Sequence, residues 1–113
     1  MKMPNNEKWP EIERRVEDRI RLTVDIEWDS NDGCHPGTLS DLNSTGCFIL
    51  ASGFFTEGAT VRVHLPITES EIFVAVGEIV NQYPDLGFAL RFMNLTDEQR
   101  QSLNDFARQH EST

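Results

Sequence analysis

Leu39-Ser40-Asp41-Leu42-Asn43-Ser44-Thr45-Gly46-Cys47-Phe48-Ile49-Leu50 passes from the end of an alternating segment, through a polar stretch, into a short apolar run. Asp41, Asn43, Ser44 and Thr45 carry short side chains that bond nearby backbone, and Gly46 can adopt positive φ. A tight turn between two strands is therefore expected. Cys47–Leu50 is continuously apolar, which predicts a well-buried strand. A turn held between two strands is also a rigid mount for ligand contacts.

Upstream, Ile20, Leu22, Val24, Ile26 and Trp28 alternate with Arg21, Thr23, Asp25 and Glu27, the pattern of a half-buried strand. Asp32-Gly33 signals a reversal, and a second strand follows from about His35, with Pro36 suited to its start. Downstream, Gly53–Gly58 reads as a loop whose Phe54 and Phe55 need cover, and Thr60–Leu65 alternates until Pro66. Ile72–Val80 is the longest strand, apolar on both faces over much of its length, which predicts a central position. Phe88, Leu90 and Phe92 alternate in a sixth strand. Helical spacing comes only afterwards: Thr96 and Gln99 form a capping-box pair, Asp97 and Glu98 suit the N-terminal dipole, and Leu103, Phe106 and Ala107 make one apolar stripe. The expectation is strands near 20–28, 35–42, 46–50, 60–65, 72–81 and 87–92 with a helix near 96–109. Six short strands at this spacing form a small antiparallel barrel or sandwich, with the helix closing one end.

A chain of 113 residues suits one domain with a single core. Residues 1–13 are polar, contain Pro4 and Pro10, and read as a mobile tail in which Trp9 and Ile12 are the only large apolar groups; residues 14–110 form the domain. The net charge of −9 argues against binding DNA, RNA or anionic membranes in general, which requires excess positive charge. It leaves room for a small anion held by a local arginine cluster. No apolar run reaches the roughly 18 residues of a membrane span, so no membrane insertion is expected. The polar start lacks a signal-peptide core, and a cytoplasmic location is expected. Cys34 and Cys47 lie in unlike settings with no partner at metal-ligand spacing, so two reduced thiols are expected, with no metal site.

Catalysis finds little support. Ser40 and Ser44 have no nucleophile elbow, and His35, His64 and His110 are scattered. His64 falls in an alternating strand, where a structural role is expected. No Gly-rich, Lys-containing phosphate loop is present. The sequence reads as a non-enzyme without a cofactor.

Two constellations remain: Arg15-x-x-x-Arg19 before the first strand, and Asp41-x-Asn43-x-x-Gly46 after the second. If those strands pair through the Asp32-Gly33 turn, the start of one lies beside the end of the other, and the arginines face the polar turn. Guanidinium forks match phosphate oxygens and the O6/N7 edge of guanine, and they stack on purines. Asp, Asn and backbone near a glycine fix amine edges and phosphate.

In these residues the chain resembles the PilZ family, bacterial receptors for the second messenger cyclic di-GMP. The family pattern is RxxxR before the first barrel strand and [D/N]xSxxG downstream, here Arg15–Arg19 and Asp41–Gly46. The likeness continues through Gly46–Leu50, Glu57–Val61, Leu65-Pro66, Gly87–Phe92 and the capped helix. It implies a six-stranded antiparallel β-barrel with one C-terminal helix and no catalysis. It also implies a cyclic di-GMP site built from Arg15, Arg19, Asp41, Asn43 and Gly46. Ligand binding would pin the arginine segment against the barrel and signal to a protein partner. One position departs: Asn43 stands where the family has serine. Asn is longer than Ser but offers an NH₂ donor. The alternative reading is a PilZ-like domain that acts through protein partners without binding the dinucleotide.

Overall fold

The alternation from Ile20 becomes β1 (Ile20–Ser30), whose even-numbered positions Ile20, Leu22, Ile26 and Trp28 are buried. In the computed structural model, which describes residues 19–112, five further strands follow. They are β2 (Gly33–Leu42), β3 (Gly46–Leu50), β4 (Thr60–Pro66), β5 (Ile72–Tyr83) and β6 (Gly87–Phe92), before helix α1 (Asp97–Gln109). The expected tail lies outside the described residues. The order around the sheet is β1-β2-β3-β6-β5-β4, and all neighbours are antiparallel. Pairing of β4 back onto β1 closes the barrel through Glu27↔His64, Trp28↔Val63 and Asp29↔Arg62. The architecture is the expected six-stranded barrel rather than the sandwich alternative.

The hairpin between β1 and β2 is tighter than the sequence expectation. Ser30 pairs with Gly33, so both strands continue for two residues past the expected limits. Gly33 has φ 126°, which an L side chain rarely adopts.

One core fills the barrel. Leu39, Ile49, Val63, Leu65 and Phe88 have no exposed surface. At the hairpin end Trp28 packs edge-on to Phe88 with ring centroids 5.0 Å apart and to Phe55 at 6.1 Å. At the other end α1 lays Leu103, Phe106 and Ala107 into the core. Its start carries both bonds of the capping box: Thr96 Oγ1 accepts from Gln99 N at 3.1 Å, and Gln99 Oε1 accepts from Thr96 N at 2.9 Å. The Ser112 N–H donates to Arg21 O at 2.7 Å, which ties the chain end to β1.

Three expectations are corrected. In β3 only Cys47 and Ile49 are buried, while Phe48 is half-buried and Leu50 exposed. In β5 Ala75, Gly77 and Ile79 face inward, whereas Ile72 is 62% and Val74 41% exposed. The reason is common to both: a closed barrel has one interior and no second layer over its outer face. Phe55 finds cover, but Phe54 remains 83% exposed.

Gly46 is required for a reason other than the expected positive φ. It sits opposite Arg91 on β6, and a Cβ there would collide with the Leu90 carbonyl oxygen. Gly46→Ala should therefore lower stability by about 1–3 kcal/mol, the scale of overpacking a well-packed contact. Urea denaturation checks this, and a melting profile like that of the parent would mean that β3 and β6 can separate freely.

Candidate functional site

The site begins with an extra residue. On β2, Leu39 pairs with Ile49 and Asp41 with Phe48, so two steps on β2 match one on β3 and Ser40 is the residue in excess. Such a bulge re-aims the next side chain. Leu39 and Leu42 both face the core, and Asp41 between them is turned partly inward, its side chain 21% exposed. A second irregularity, between Arg21 and Val24 on β1, lies directly across from it.

Asp41 is used unequally. Its Oδ2 accepts from Arg19 Nη1 at 3.4 Å. Its Oδ1 is buried and finds no hydrogen-bond partner among the described residues. A buried oxygen in that condition costs the folded state about 1–3 kcal/mol and is an open acceptor for a donor from outside.

Asn43 closes the turn. Its side-chain oxygen accepts from Thr45 N at 2.8 Å, Thr45 Oγ1 at 2.9 Å and Gly46 N at 2.9 Å. Two backbone N–H groups point at this atom, so it must be the amide oxygen. The Nδ2 amine is left as the group that can address a ligand. Asn43 N donates to Gly46 O at 2.9 Å, and Phe92 N donates to Thr45 O at 2.9 Å, which anchors the turn to the end of β6.

Strand pairing brings Arg19, Asp41, Asn43 and Gly46 to one end of the barrel, as the hairpin geometry implied. Arg15 lies outside the described residues. Two arginines not among the sequence-selected residues also stand here. Arg21 is the ladder partner of Asp41 and with Ser40, Thr23 and Ser112 lines a cleft of about 410 Å³ beside it. Arg91 is the partner of Gly46 and reaches Glu78 at 3.5 Å. Arg21 was legible as an outward position of an alternating strand, but its meeting with Asp41 depends on the register.

A cleft of about 640 Å³ opens at the opposite end, lined by Trp28, His35, Phe54 and Phe55 among others. Its described lining contains no lysine or arginine, so it is a poor place for an anion despite its size. Ser30, Asp32 and His35 cluster on its rim, with Ser30 Oγ 3.2 Å and Asp32 Oδ1 2.8 Å from the same His35 Nε2. A Ser-His-Asp triad needs the carboxylate on the other ring nitrogen, so this cluster is not one. Both cysteines are free. The Cys34 thiol is pushed up to about 11 by its hydrogen bond to Asp29, and burial pushes Cys47 up as well. Neither is an activated nucleophile. Among the described residues no group of His, Cys, Asp and Glu is arranged to hold a metal, and no helix is long and apolar enough to cross a membrane.

The PilZ domain family model matches residues 13–109. The chain belongs to the PilZ family. Its fold is shared with the PilZ domain of a CeSA protein from a cellulose-synthesizing bacterium, at 18% identity and TM-score 0.63 over 80% of this chain and 95% of that one. It is also shared with the Escherichia coli YcgR PilZ domain solved with c-di-GMP, at 13% identity and TM-score 0.70 over 81% and 87% of the two chains. Borreliella burgdorferi PlzA, solved in complex with c-di-GMP, gives 12% identity and TM-score 0.62 over 87% of this chain, which spans 45% of PlzA. A sequence comparison with curated proteins finds no match. PilZ domains are non-catalytic receptor domains, a class consistent with a site made of hydrogen-bonding groups and arginines.

The turn geometry generates a test of Asn43. Asn43→Ala removes an acceptor shared by three donors and should cost about 1–2 kcal/mol. Asn43→Asp retains an oxygen in the same place and should keep most of that stability. Thermal melting of the two variants side by side checks the role, and equal losses would remove the turn bonds as its cause.

Proposed function

We propose that this PilZ domain is a non-catalytic receptor for cyclic di-GMP. In this reading the ligand lies between the Arg15–Arg19 segment and the Asp41–Gly46 turn. The observation that carries it is the buried Asp41 Oδ1, without a hydrogen-bond partner among the described residues, on the carboxylate that Arg19 holds. Guanine carries N–H donors on one edge and the O6/N7 acceptors on the other, and the ligand's two phosphates are anionic. Asp41 Oδ1 suits the donor edge, and guanidinium forks suit the acceptor edge or phosphate. Asn43 contributes its Nδ2 amine, and Gly46 lets the turn lie flat against β6.

Arg19 would exchange its hold on Asp41 for the ligand. Arg15 would join it, and the segment before β1 would be drawn onto the barrel end. That rearrangement alters the surface a protein partner meets. Residues 14–110 act as the receptor unit in this scheme, with residues 1–13 as a tail.

A second reading has its own observation. The oxygen of Asn43 is spent inside its turn, and Arg19 already has a carboxylate partner. A domain in that condition can serve protein contacts alone, without binding the dinucleotide.

Calorimetry with cyclic di-GMP, using GTP and cyclic GMP as controls, separates the two. On the receptor reading the parent binds cyclic di-GMP selectively, and Arg15→Ala or Arg19→Ala each lose about 1.5–3 kcal/mol of binding. Lysine at either position recovers little, because a point charge does not reproduce the fork. No heat from the parent at millimolar ligand would favour the second reading.

A further inference from the structure

The end of the barrel remote from Arg19, Arg21 and Arg91 displays apolar surface that the described fold does not cover. Phe54 is 83% exposed, Leu86 53%, Tyr83 47% and Leu50 37%. They are held close together by bonds between two loops. Ala51 N donates to Leu86 O at 2.9 Å, Asp85 N to Gly53 O at 2.8 Å, and Gly53 N to Asp85 Oδ1 at 3.2 Å. Asp85 accepts φ 62° to make this bracket. Phe54 thus follows directly on a tied backbone. On its other side opens the 640 Å³ cleft, with Trp28 and Phe55 among its lining. An exposed phenylalanine beside a preformed aromatic cleft is the anatomy of an interaction hot spot.

Charge decides what covers it. Arg62 is the only lysine or arginine between residues 22 and 90, and it is paired with Asp29 at 3.6 Å. Asp32 lines the cleft, Glu57 follows the lining residue Thr56, and Asp85 makes the loop bracket; all three are exposed. A basic rim on the partner is therefore attracted, while nucleic acid and anionic lipid are repelled.

We propose that this end is a docking surface for a basic amphipathic segment of a protein partner. An aromatic or leucine side chain would enter the cleft beside Phe54, and lysine or arginine would face Asp32 and Glu57. The surface is separate from the Asp41 turn, so the proposal stands whether or not the domain binds a dinucleotide.

The probe is a synthetic amphipathic peptide with a leucine/tryptophan face and a lysine face, compared with a twin in which every lysine is glutamate. The full chain, ¹⁵N-labelled, is titrated with each at physiological salt. The lysine peptide should shift the amides of residues 51–59 and 83–87 and saturate, and the glutamate twin should bind at least about tenfold more weakly. Phe54→Ser should weaken the lysine peptide about tenfold, the loss expected of a hot-spot anchor, and Glu57→Lys by a few-fold. Both positions are exposed, so the melting curves of the variants should match the parent and exclude misfolding. Equal affinity for the two peptides, shifts on another face, or indifference to Phe54→Ser would overturn the proposal. Self-association in sedimentation that Phe54→Ser abolishes would overturn it too, by assigning the surface to a second copy of the chain.

Discussion

Three residues of β1, Glu27–Asp29, pair with Arg62–His64 of β4 and turn a six-stranded sheet into a barrel. The pairing is short, yet it removes the last open edge at that height and divides every strand into one inward and one outward face. On its outer side Asp29 meets His64 at 2.9 Å and Arg62 at 3.6 Å. The hydrogen bond from His64 holds the Asp29 carboxyl below its usual range. Partly exposed contacts of this sort add modest stability at most. Their effect is on register: a slip of one residue would move Asp29 off its partners and turn Trp28 and Val63 out of the core.

Closure also makes the two ends unlike. At the hairpin end aromatic rings fill the mouth, Trp28 against Phe88 and Phe55. At the other end β1 and β4 are no longer paired, and α1 supplies Leu103, Phe106 and Ala107 instead. The chain leaves α1 and returns along β1, where Leu22 bridges to Glu111. The end that needs a helix to fill it is thus also the end where the Asp41 turn, Arg19 and Arg21 meet.

Much of this was legible because it depends on near neighbours in sequence. Alternation from Ile20 to Trp28 reports burial directly, and Thr96 with Gln99 reports a helix start. Asn43 and Thr45 declare a turn by side-chain chemistry alone. What escaped reading depends on distant pairing. Gly46 looked like a positive-φ residue, but its constraint is the Leu90 carbonyl on a strand more than forty residues later. Ser40 looks ordinary until its register against β3 shows that it is one residue too many. The apolar runs of β3 and β5 predicted burial on both faces, and only closure with no outer layer explains why Ile72 and Val74 face solvent. Phe54 needed cover by any sequence argument, and no rule of local composition says that its cover is not within the described fold.

On the proposed function, the energetics favour exchange over resistance at the Asp41 end. The Arg19–Asp41 pair is about half exposed on the arginine side, and pairs of that kind contribute about 0–1 kcal/mol. A charged hydrogen bond to a ligand phosphate contributes about 1.5–3 kcal/mol, and satisfying Asp41 Oδ1 recovers a further desolvation cost of similar size. On these magnitudes the proposed exchange would favour the ligand even though the pair must open. The Asn43 turn gains nothing by moving, because its oxygen bonds are internal and Thr45 is tied to Phe92. In the proposed scheme the barrel end would therefore serve as a fixed reference, and the response would fall on the arginine segment. Ligand binding of the proposed kind would enter the stability of the whole domain by mass action, about 2.7 kcal/mol at a hundredfold excess over Kd. That gain would be spread over a closed ladder with one core, so a receptor of the proposed kind would report occupancy through its arginine segment while the rest of the barrel keeps its shape.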